Sequence, residues 1–171
     1  MDRPADYFKG KGAQINTKNP FAQQDVSYDD DPYSGTLAAK PRTQVFYEKA
    51  KNLVNAVESP DLGMMYSANP YQGCEHGCSY CYARNVHEYW GFSAGLDFES
   101  KIIAKPNASQ LLEKYMMRRG YRVQPISFSG NTDCYQPLER QLGLTKACLQ
   151  VCQRLPPPCG YHHQKPTHFA R

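Results

Sequence analysis

The hydrophobic pattern of the chain changes near residue 63. Residues 1–62 carry one convincing apolar stretch, from Val45 to Val57, among scattered proline, glycine and acidic positions. This pattern predicts an extended lead-in with a short strand and room for one helix. From residue 63 to residue 155, short apolar segments alternate with polar loops, which predicts the packed part of the chain.

Three apolar segments in residues 63–155 predict strands. The segment GMMYSANPY predicts a buried strand that ends at Pro70, and a loop dense in Cys, His, Tyr and Gly follows it. Residues Lys101 to Ala104 and Pro125 to Ser129 predict two further short strands. A functional loop directly after a strand is typical of the carboxyl edge of an α/β sheet or barrel.

Two packing helices are predicted around these strands. The first is capped by Asn107 and ended by Gly120, and its apolar positions are Leu111, Leu112, Tyr115 and Met116. The second is capped by Thr145, and its apolar face carries Cys148, Val151, Cys152 and Leu155. We therefore expect Cys148 and Cys152 to be small core residues. Repetition of strand, loop and helix predicts parallel βα units and an α/β fold.

Composition narrows the class of protein. The 171 residues suffice for one modest domain and fall short of a complete (β/α)8 barrel, which takes about 250. The net charge of +4 is too small to indicate a nucleic-acid or membrane-surface binder. No apolar run approaches a membrane span and the start has no apolar signal segment, so we expect a soluble cytoplasmic protein. Seven cysteines without an export signal indicate metal or thiol chemistry.

Three cysteines lie close together in the segment NPYQGCEHGCSYCYAR. Cys74, Cys78 and Cys81 place three thiolates on one short loop that can curl around a single centre. A structural zinc site normally has four ligands from two separated pairs, and the sequence has no second Cys-x-x-Cys pair. An iron-sulfur cube held by three thiolates keeps one iron open to an external ligand. Gly73 and Gly77 allow the loop backbone to turn tightly beside the sulfurs.

An aromatic residue, Tyr80, precedes the third cysteine, and the whole loop resembles the signature of the radical S-adenosylmethionine (radical SAM) superfamily. Further phrases resemble one branch, which is akin to spore photoproduct lyase and often labelled DNA repair photolyase. The resemblance covers roughly residues 9–155, and its phrases are NPYQGCEHGC, HEYWGFSAGLDFE, KPNASQLLEK and SGNTDCYQPLER.

The resemblance implies a fold and a reaction. The fold would be the N-terminal part of a partial (β/α)6 TIM-like barrel, preceded by the extended lead-in. The three cysteines would hold a 4Fe-4S cluster whose open iron chelates S-adenosylmethionine. One electron would cleave the sulfonium C–S bond, giving methionine and a 5′-deoxyadenosyl radical that abstracts hydrogen from a substrate. The electron donor would be a flavodoxin or ferredoxin.

The resemblance also implies residue roles near the cosubstrate. Tyr80 would lie near the adenine. Ser129, Gly130, Asn131 and Thr132 occupy the place of the loop that contacts the methionyl amino group, although they depart from the common Gly-Gly-Glu form. A lyase acting in nucleic-acid repair follows from the branch label alone, because no basic patch with interleaved aromatics supports it.

Alternatives to this interpretation stay open. A zinc site completed by His76, His87 or Cys134 would make the chain a zinc-stabilised module that binds nucleic acid or protein without catalysis.

Other polar residues in these loops are candidates for catalytic or substrate-binding roles. Asp97 and Glu99 are a candidate pair of catalytic carboxylates, although a polar loop is the favoured interpretation. Asp133, Cys134 and Glu139 lie where a substrate could bind, and Glu139 is equally a first-turn helix acid.

The last sixteen residues do not continue the pattern. After Leu155, the segment PPPCGYHHQKPTHFAR carries three of the five histidines and almost no apolar residues, where a third strand is expected. Codons can be chosen so that a one-base shift of frame turns this segment into an apolar strand and a loop. We therefore expect residues 156–171 to be an out-of-frame tail, residues 63–155 an incomplete radical SAM core, and the chain an inactive fragment that retains cluster binding.

Overall fold

The computed structural model of the chain describes residues 8, 10–21, 42–59, 61 and 65–155. The strands are β1 (Gln44–Tyr47), β2 (Val54–Ala56), β3 (Tyr66–Ala68), β4 (Tyr71–Gln72), β5 (Lys101–Ala104) and β6 (Ile126–Phe128). The helices are a 3-10 helix (Tyr82–Trp90), α1 (Leu96–Ser100), α2 (Ala108–Met116), α3 (Glu139–Leu142) and α4 (Leu144–Arg154). The predicted out-of-frame tail, residues 156–171, lies outside the described residues.

The strands form two small mixed sheets. In the first sheet β5 is central: β1 pairs with it in parallel and β4 antiparallel, with Tyr71 opposite Ala104. In the second sheet β3 is central: β2 pairs with it antiparallel and β6 in parallel, with Ala68 opposite Phe128. β3 and β6 are parallel neighbours, but the chain between them passes through β4 and β5 of the first sheet before α2, so they do not form a simple βα unit.

The prediction of a partial (β/α)6 TIM-like barrel is wrong for the described residues, because they form two three-stranded sheets of mixed direction. The apolar segment before the cysteines, predicted as one strand, is divided at Asn69 and Pro70. The Asn69 Oδ1 accepts the backbone N–H of Tyr71 at 2.9 Å, and Pro70 has no N–H for a sheet ladder. The chain therefore turns, leaving β3 in one sheet and β4 in the other.

Helix ends differ from the predicted caps. The α2 helix begins after Asn107 as predicted, but the Asn107 side chain donates to the Ala50 carbonyl at 2.8 Å and makes no cap hydrogen bond. The predicted Thr145 cap is wrong, because Thr145 lies inside α4 and its hydroxyl donates to the Cys134 carbonyl at 2.7 Å. The Glu139 carboxylate accepts the first N–H groups of α4 instead.

The largest apolar core lies between the second sheet and helices α2 and α4. Its buried members are Leu53, Ala68, Ala108, Leu112, Cys148 and Val151. Cys148 is thus confirmed as a core residue, and the partly buried Cys152 packs against it. Burial raises the pKa of the Cys148 thiol to about 12, which keeps it protonated and unreactive. Within the described ranges, no helix has the length and apolar character that a membrane crossing requires.

The core predicts different costs for two leucine truncations. Leu112 is fully buried in α2, whereas Leu149 on α4 is 36% exposed. We expect Leu112→Ala to lower the free energy of unfolding by about 2–5 kcal/mol because it leaves a cavity. Leu149→Ala should cost less than about 1 kcal/mol. Urea unfolding followed by circular dichroism measures both values, and equal costs would contradict this core.

Candidate functional site

The candidate site is the cysteine loop, residues 73–81, which connects β4 to the 3-10 helix. Cys74 is buried, and Cys78 and Cys81 are half-buried. Cys74 and Cys81 pack with Ala83 and Phe98 in one small apolar cluster. The backbone N–H of Cys74 donates to the Phe98 carbonyl at 2.9 Å, which anchors the start of the loop on α1. Burial raises the pKa of the Cys74 thiol, so this sulfur stays protonated without a metal.

Two glycines allow the loop its tight path. Gly73 has φ +81°, and a Cβ there would lie 3.0 Å from the carbonyl oxygens of Phe98 and Lys101. Gly77 has φ +65°, and a Cβ there would lie 2.9 Å from the Glu99 carboxylate. Positive φ and close contact together require glycine at both positions. The loop therefore lies directly on α1 and the start of β5.

A buried carboxylate holds the middle of the loop. The Glu99 side chain is fully buried and accepts a 2.5 Å hydrogen bond from the Arg84 guanidinium. The same Arg84 nitrogen donates to the Cys78 carbonyl at 2.8 Å. Glu99 also accepts the backbone N–H groups of Gly12 at 3.2 Å and Ala13 at 2.8 Å. These bonds fix the backbone of Cys78 and bring the lead-in onto the loop.

Asp97, the other acid of the predicted pair, is also held by structural bonds. Its carboxylate accepts bonds from the Asn16 amide at 3.0 Å, the Ser93 N–H at 3.1 Å and the Lys101 ammonium at 3.0 Å. Because Asp97 and Glu99 both lie in α1 with their oxygens engaged, the pair fastens residues 12–16 to the helix. Neither carboxylate is placed to act as an acid or base.

The loop after β6 meets the cysteine loop from the other sheet. Gln136 is fully buried and bridges the two, accepting the Glu75 N–H at 3.1 Å and donating to the Gly73 carbonyl at 3.1 Å. The Tyr82 hydroxyl donates to the Gly130 carbonyl. The predicted cosubstrate loop, residues 129–132, therefore contacts Tyr82, the residue after Cys81.

The four residues of that loop have different environments. Thr132 is buried and donates to the Tyr71 carbonyl at 3.1 Å, so it joins the two sheets. Ser129 has φ +143°, a strained value for a residue with a side chain, and Gly130 has φ +105°. Ser129 and Asn131 line an open polar pocket of about 340 Å³, counted with its solvent-filled mouth. Only these two of the four present side chains to a ligand space.

Tyr80, predicted to lie near the adenine, directly precedes Cys81 and is 88% exposed. A flat exposed aromatic ring next to the third cysteine is suited to stacking on a planar heterocycle.

The candidate zinc ligands do not join the cysteines. His76 Nε2 lies 3.1 Å from the Asp133 carboxylate, and both side chains are exposed. His87 is buried between the rings of Phe92 and Phe98, with centroids 5.2 and 5.5 Å away. Among the described residues its imidazole has no hydrogen-bond partner, and burial lowers its pKa to about 4.

Two further candidate site residues, Cys134 and Glu139, make contacts that support the fold. Burial raises the pKa of the Cys134 thiol to about 11, and its sulfur lies 3.7 Å from the Phe128 carbonyl. Glu139 accepts a hydrogen bond from the Tyr71 hydroxyl as well as capping α4. Asp133, the third candidate in this segment, faces His76.

The three cysteines have the donor chemistry of a metal centre but are not gathered around one point. In the part of the chain that the structure describes, no three His, Cys, Asp or Glu side chains converge as a bound metal ion requires. Three soft thiols within eight residues nevertheless fit an iron-sulfur cluster with one open iron. Cys78 and Cys81 are half-buried, and Cys81 packs in the same apolar cluster as Cys74.

Three side chains hold the cysteine loop in place: Arg84, Glu99 and Gln136. Of these, only Glu99 is singled out from the sequence, as a candidate catalytic carboxylate. A salt-bridged pair fifteen residues apart and an amide in a loop follow no periodic pattern. The one sequence signal is glycine at positions 12 and 77, where a Cβ on Gly12 would lie 2.1 Å from the Gly77 carbonyl.

Neutralising Glu99 should destabilise the fold more than neutralising an exposed acid. Glu99→Gln leaves the Arg84 guanidinium, whose side chain is 14% exposed, without its counter-charge. We expect a loss of about 3–5 kcal/mol in the free energy of unfolding, measured by urea denaturation. The control is Glu113→Gln, because the side chains of Glu113 and its partner Arg154 are both exposed. This substitution should lower the free energy of unfolding by at most about 1 kcal/mol. Equal losses of unfolding free energy would show that the Arg84–Glu99 salt bridge does not support the loop.

His87 should make stability depend on pH. Its pKa is about 4 in the folded chain and 6.5 when exposed, so the unfolded chain binds the extra proton between these values. Stability is therefore complete above pH 6.5 and falls by about 3 kcal/mol as the pH drops to 4. His87→Phe should remove this part of the pH dependence, measured by urea unfolding across that range. His76→Gln, at an exposed histidine, is the control and should keep the wild-type profile.

Comparison with known proteins finds relatives of undetermined role. The chain is 36% identical over 95 residues to uncharacterized proteins of Mycobacterium tuberculosis and Mycobacterium bovis, covering 55% of this chain and 28% of theirs. It is 28% identical over 109 residues to an uncharacterized protein of Methanocaldococcus jannaschii, covering 64% of this chain and 38% of that one. No family model and no solved structure matches the chain. The chain thus spans little more than a quarter of the length of its mycobacterial relatives.

Proposed function

We propose that the chain is an iron-sulfur protein of the radical S-adenosylmethionine type, with Cys74, Cys78 and Cys81 as the protein ligands of a 4Fe-4S cluster. The observation that carries this proposal is a loop with three thiols and no fourth cysteine, held in place from both sheets. When bound, such a cluster supplies the electron that cleaves S-adenosylmethionine into methionine and a hydrogen-abstracting 5′-deoxyadenosyl radical.

The residues around the loop position its donors. Arg84 holds the Cys78 carbonyl, and its guanidinium places positive charge beside a centre that carries negative charge through its thiolates. Glu99 is fully buried and holds Arg84 through a salt bridge. Because burial keeps the Cys74 thiol protonated, cluster binding must release its proton, and assembly is therefore weaker at low pH.

The loop after β6 supplies the neighbouring half of the proposed site. We assign contact with the methionyl part of the cosubstrate to Ser129 and Asn131, because their side chains line open space. Gly130 and Thr132 shape the loop instead, through their bonds to Tyr82 and Tyr71. Tyr80 is assigned to the adenine because its ring is exposed beside Cys81.

The reaction class, partners and location follow from this assignment and are part of the proposal. The full reaction is hydrogen abstraction from a substrate not identified by the chain, with one-electron reduction by a flavodoxin or ferredoxin. Such chemistry needs reduced thiols, which the cytoplasm maintains. A role as a lyase in nucleic-acid repair depends on the branch label, since the net charge of +4 gives it no support.

Anaerobic reconstitution with iron and sulfide tests the metal assignment. The wild-type chain should take up about four iron and four sulfide and show broad absorbance near about 400 nm, as thiolate-bound clusters do. Replacing any one of the three cysteines by Ala should abolish most of the iron uptake, because three thiolates are the minimum set for an open-iron cube.

Cys152→Ala is the matched control, because Cys152 is also half-buried but lies on α4 and outside the loop. It should bind iron like the wild type. A colourless protein that binds one zinc ion, or loop variants that keep their full iron content, would contradict the proposal. The first of these results would favour a zinc-stabilised binding module.

A further inference from the structure

A polar pocket lies where three strands end. Asn69 follows β3, Lys105 follows β5 and Ser129 follows β6, and all three residues line the pocket together with Ser67, Asn55 and Asn131. The carboxyl ends of strands are the usual place for ligands in sheets with parallel strands. This pocket adjoins the cysteine loop, because Gln72, the last residue of β4 before that loop, also lines it.

The pocket has a fixed frame on one side. Both ends of the Asn69 side-chain amide are hydrogen-bonded: its oxygen accepts the Tyr71 N–H at 2.9 Å and its nitrogen donates to the Thr132 hydroxyl at 2.9 Å. These bonds set the position of the turn between β3 and β4. Lys105 is held on the same turn, since its backbone N–H donates to the Pro70 carbonyl at 2.9 Å. The pocket floor is therefore rigid.

Lys105 is the single charged residue among the described residues that line this pocket. Its ammonium has three N–H donors, and within the described part of the chain it makes one long hydrogen bond, 3.4 Å to the Asn69 carbonyl. Glu48 is an opposing charge near Lys105: its backbone N–H donates to the Ala104 carbonyl at 2.9 Å and its Oε2 is buried without a hydrogen-bond partner among the described residues. It does not line the pocket, and no ion pair within 4.0 Å joins it to Lys105 in the described residues. Burial lowers the pKa of Lys105, and the Glu48 carboxylate partly offsets this shift. The cation is therefore partly desolvated and short of partners, a condition that costs free energy unless an anion satisfies it.

The neutral groups of the pocket complete an oxyanion site. On the Lys105 side, Ser67 contributes a hydroxyl and Asn55 an amide, which also donates to the Leu53 carbonyl at 3.4 Å. A metal cation is disfavoured by the lysine, and an apolar ligand by the polar lining. We propose that this pocket binds an oxyanion, a carboxylate or phosphate group, through Lys105.

The oxyanion is assigned to the substrate, and this step depends on the proposed function. If the cosubstrate's amino and carboxylate groups are taken by the open iron, its carboxylate is not free to reach Lys105. The group that Lys105 holds then belongs to the second molecule in the site. The substrate class is accordingly an acid or a phosphate ester.

Titration of the full, iron-free chain tests the oxyanion site. Backbone amide signals of a ¹⁵N-labelled sample are followed while inorganic phosphate, and separately acetate, is added at constant ionic strength. We expect saturable shifts at Lys105 and Ser67, and Lys105→Met should weaken phosphate binding at least about tenfold. Lys146→Met is the control, since it removes the same charge from an exposed position and should leave affinity unchanged.

The wild-type titration is decisive even if the Lys105→Met variant fails to fold. Shifts that do not saturate, or that spread over exposed lysines alike, would overturn the site. Lys105→Arg keeps the charge and should retain binding. Ser129 and Asn131 line the same pocket and are assigned to the methionyl part of the cosubstrate, so the substrate is expected to hold only the Lys105 side. Loss of the Lys105 shift when free methionine is added to the phosphate-bound chain would overturn the assignment to the substrate, because it would give Lys105 to the cosubstrate. No iron is present in this experiment, so a failure of cluster reconstitution and a failure of oxyanion binding are separate results.

Discussion

The buried carboxylate of Glu99 is the interaction on which the cysteine loop depends. A charged group without solvent requires partners, and Glu99 finds them in Arg84 and in two N–H groups of the lead-in. Arg84 also donates a hydrogen bond to the Cys78 carbonyl, so it links Glu99 to the cysteine loop. The loop is thus held by bonds between residues more than eighty positions apart in sequence, Glu99 and the lead-in, and the lead-in is a structural part of the site.

A second set of bonds ties the loop to the other sheet. Gln136 bridges Glu75 and Gly73, and Thr132 joins the turn that leads into β4. The cysteine loop consequently lies where the two sheets meet. The proposed metal loop is therefore supported by bonds from both sheets.

The sequence predicted local features well and long-range ones poorly. β5 lies at the predicted residues and β6 within them, because each is a short apolar run bounded by polar loops. The predicted barrel is wrong because a single Asn-Pro step redirects the chain between two sheets, and this effect depends on a side-chain bond that periodicity does not reveal. The Thr145 cap is wrong because Glu139, from the preceding helix, takes over that role. The three thiols of the candidate site can be recognised from their spacing in the sequence. The Arg84–Glu99 salt bridge that supports their loop follows no sequence pattern.

The most direct test of the central claim is the electron paramagnetic resonance spectrum of the reconstituted, reduced chain with and without S-adenosylmethionine. Three thiolates leave one iron without a protein ligand, so the account predicts that the cosubstrate binds there and changes the g-values of the cluster signal. An iron-sulfur signal that is identical in both samples would mean that the cluster has no open iron, and would contradict the account.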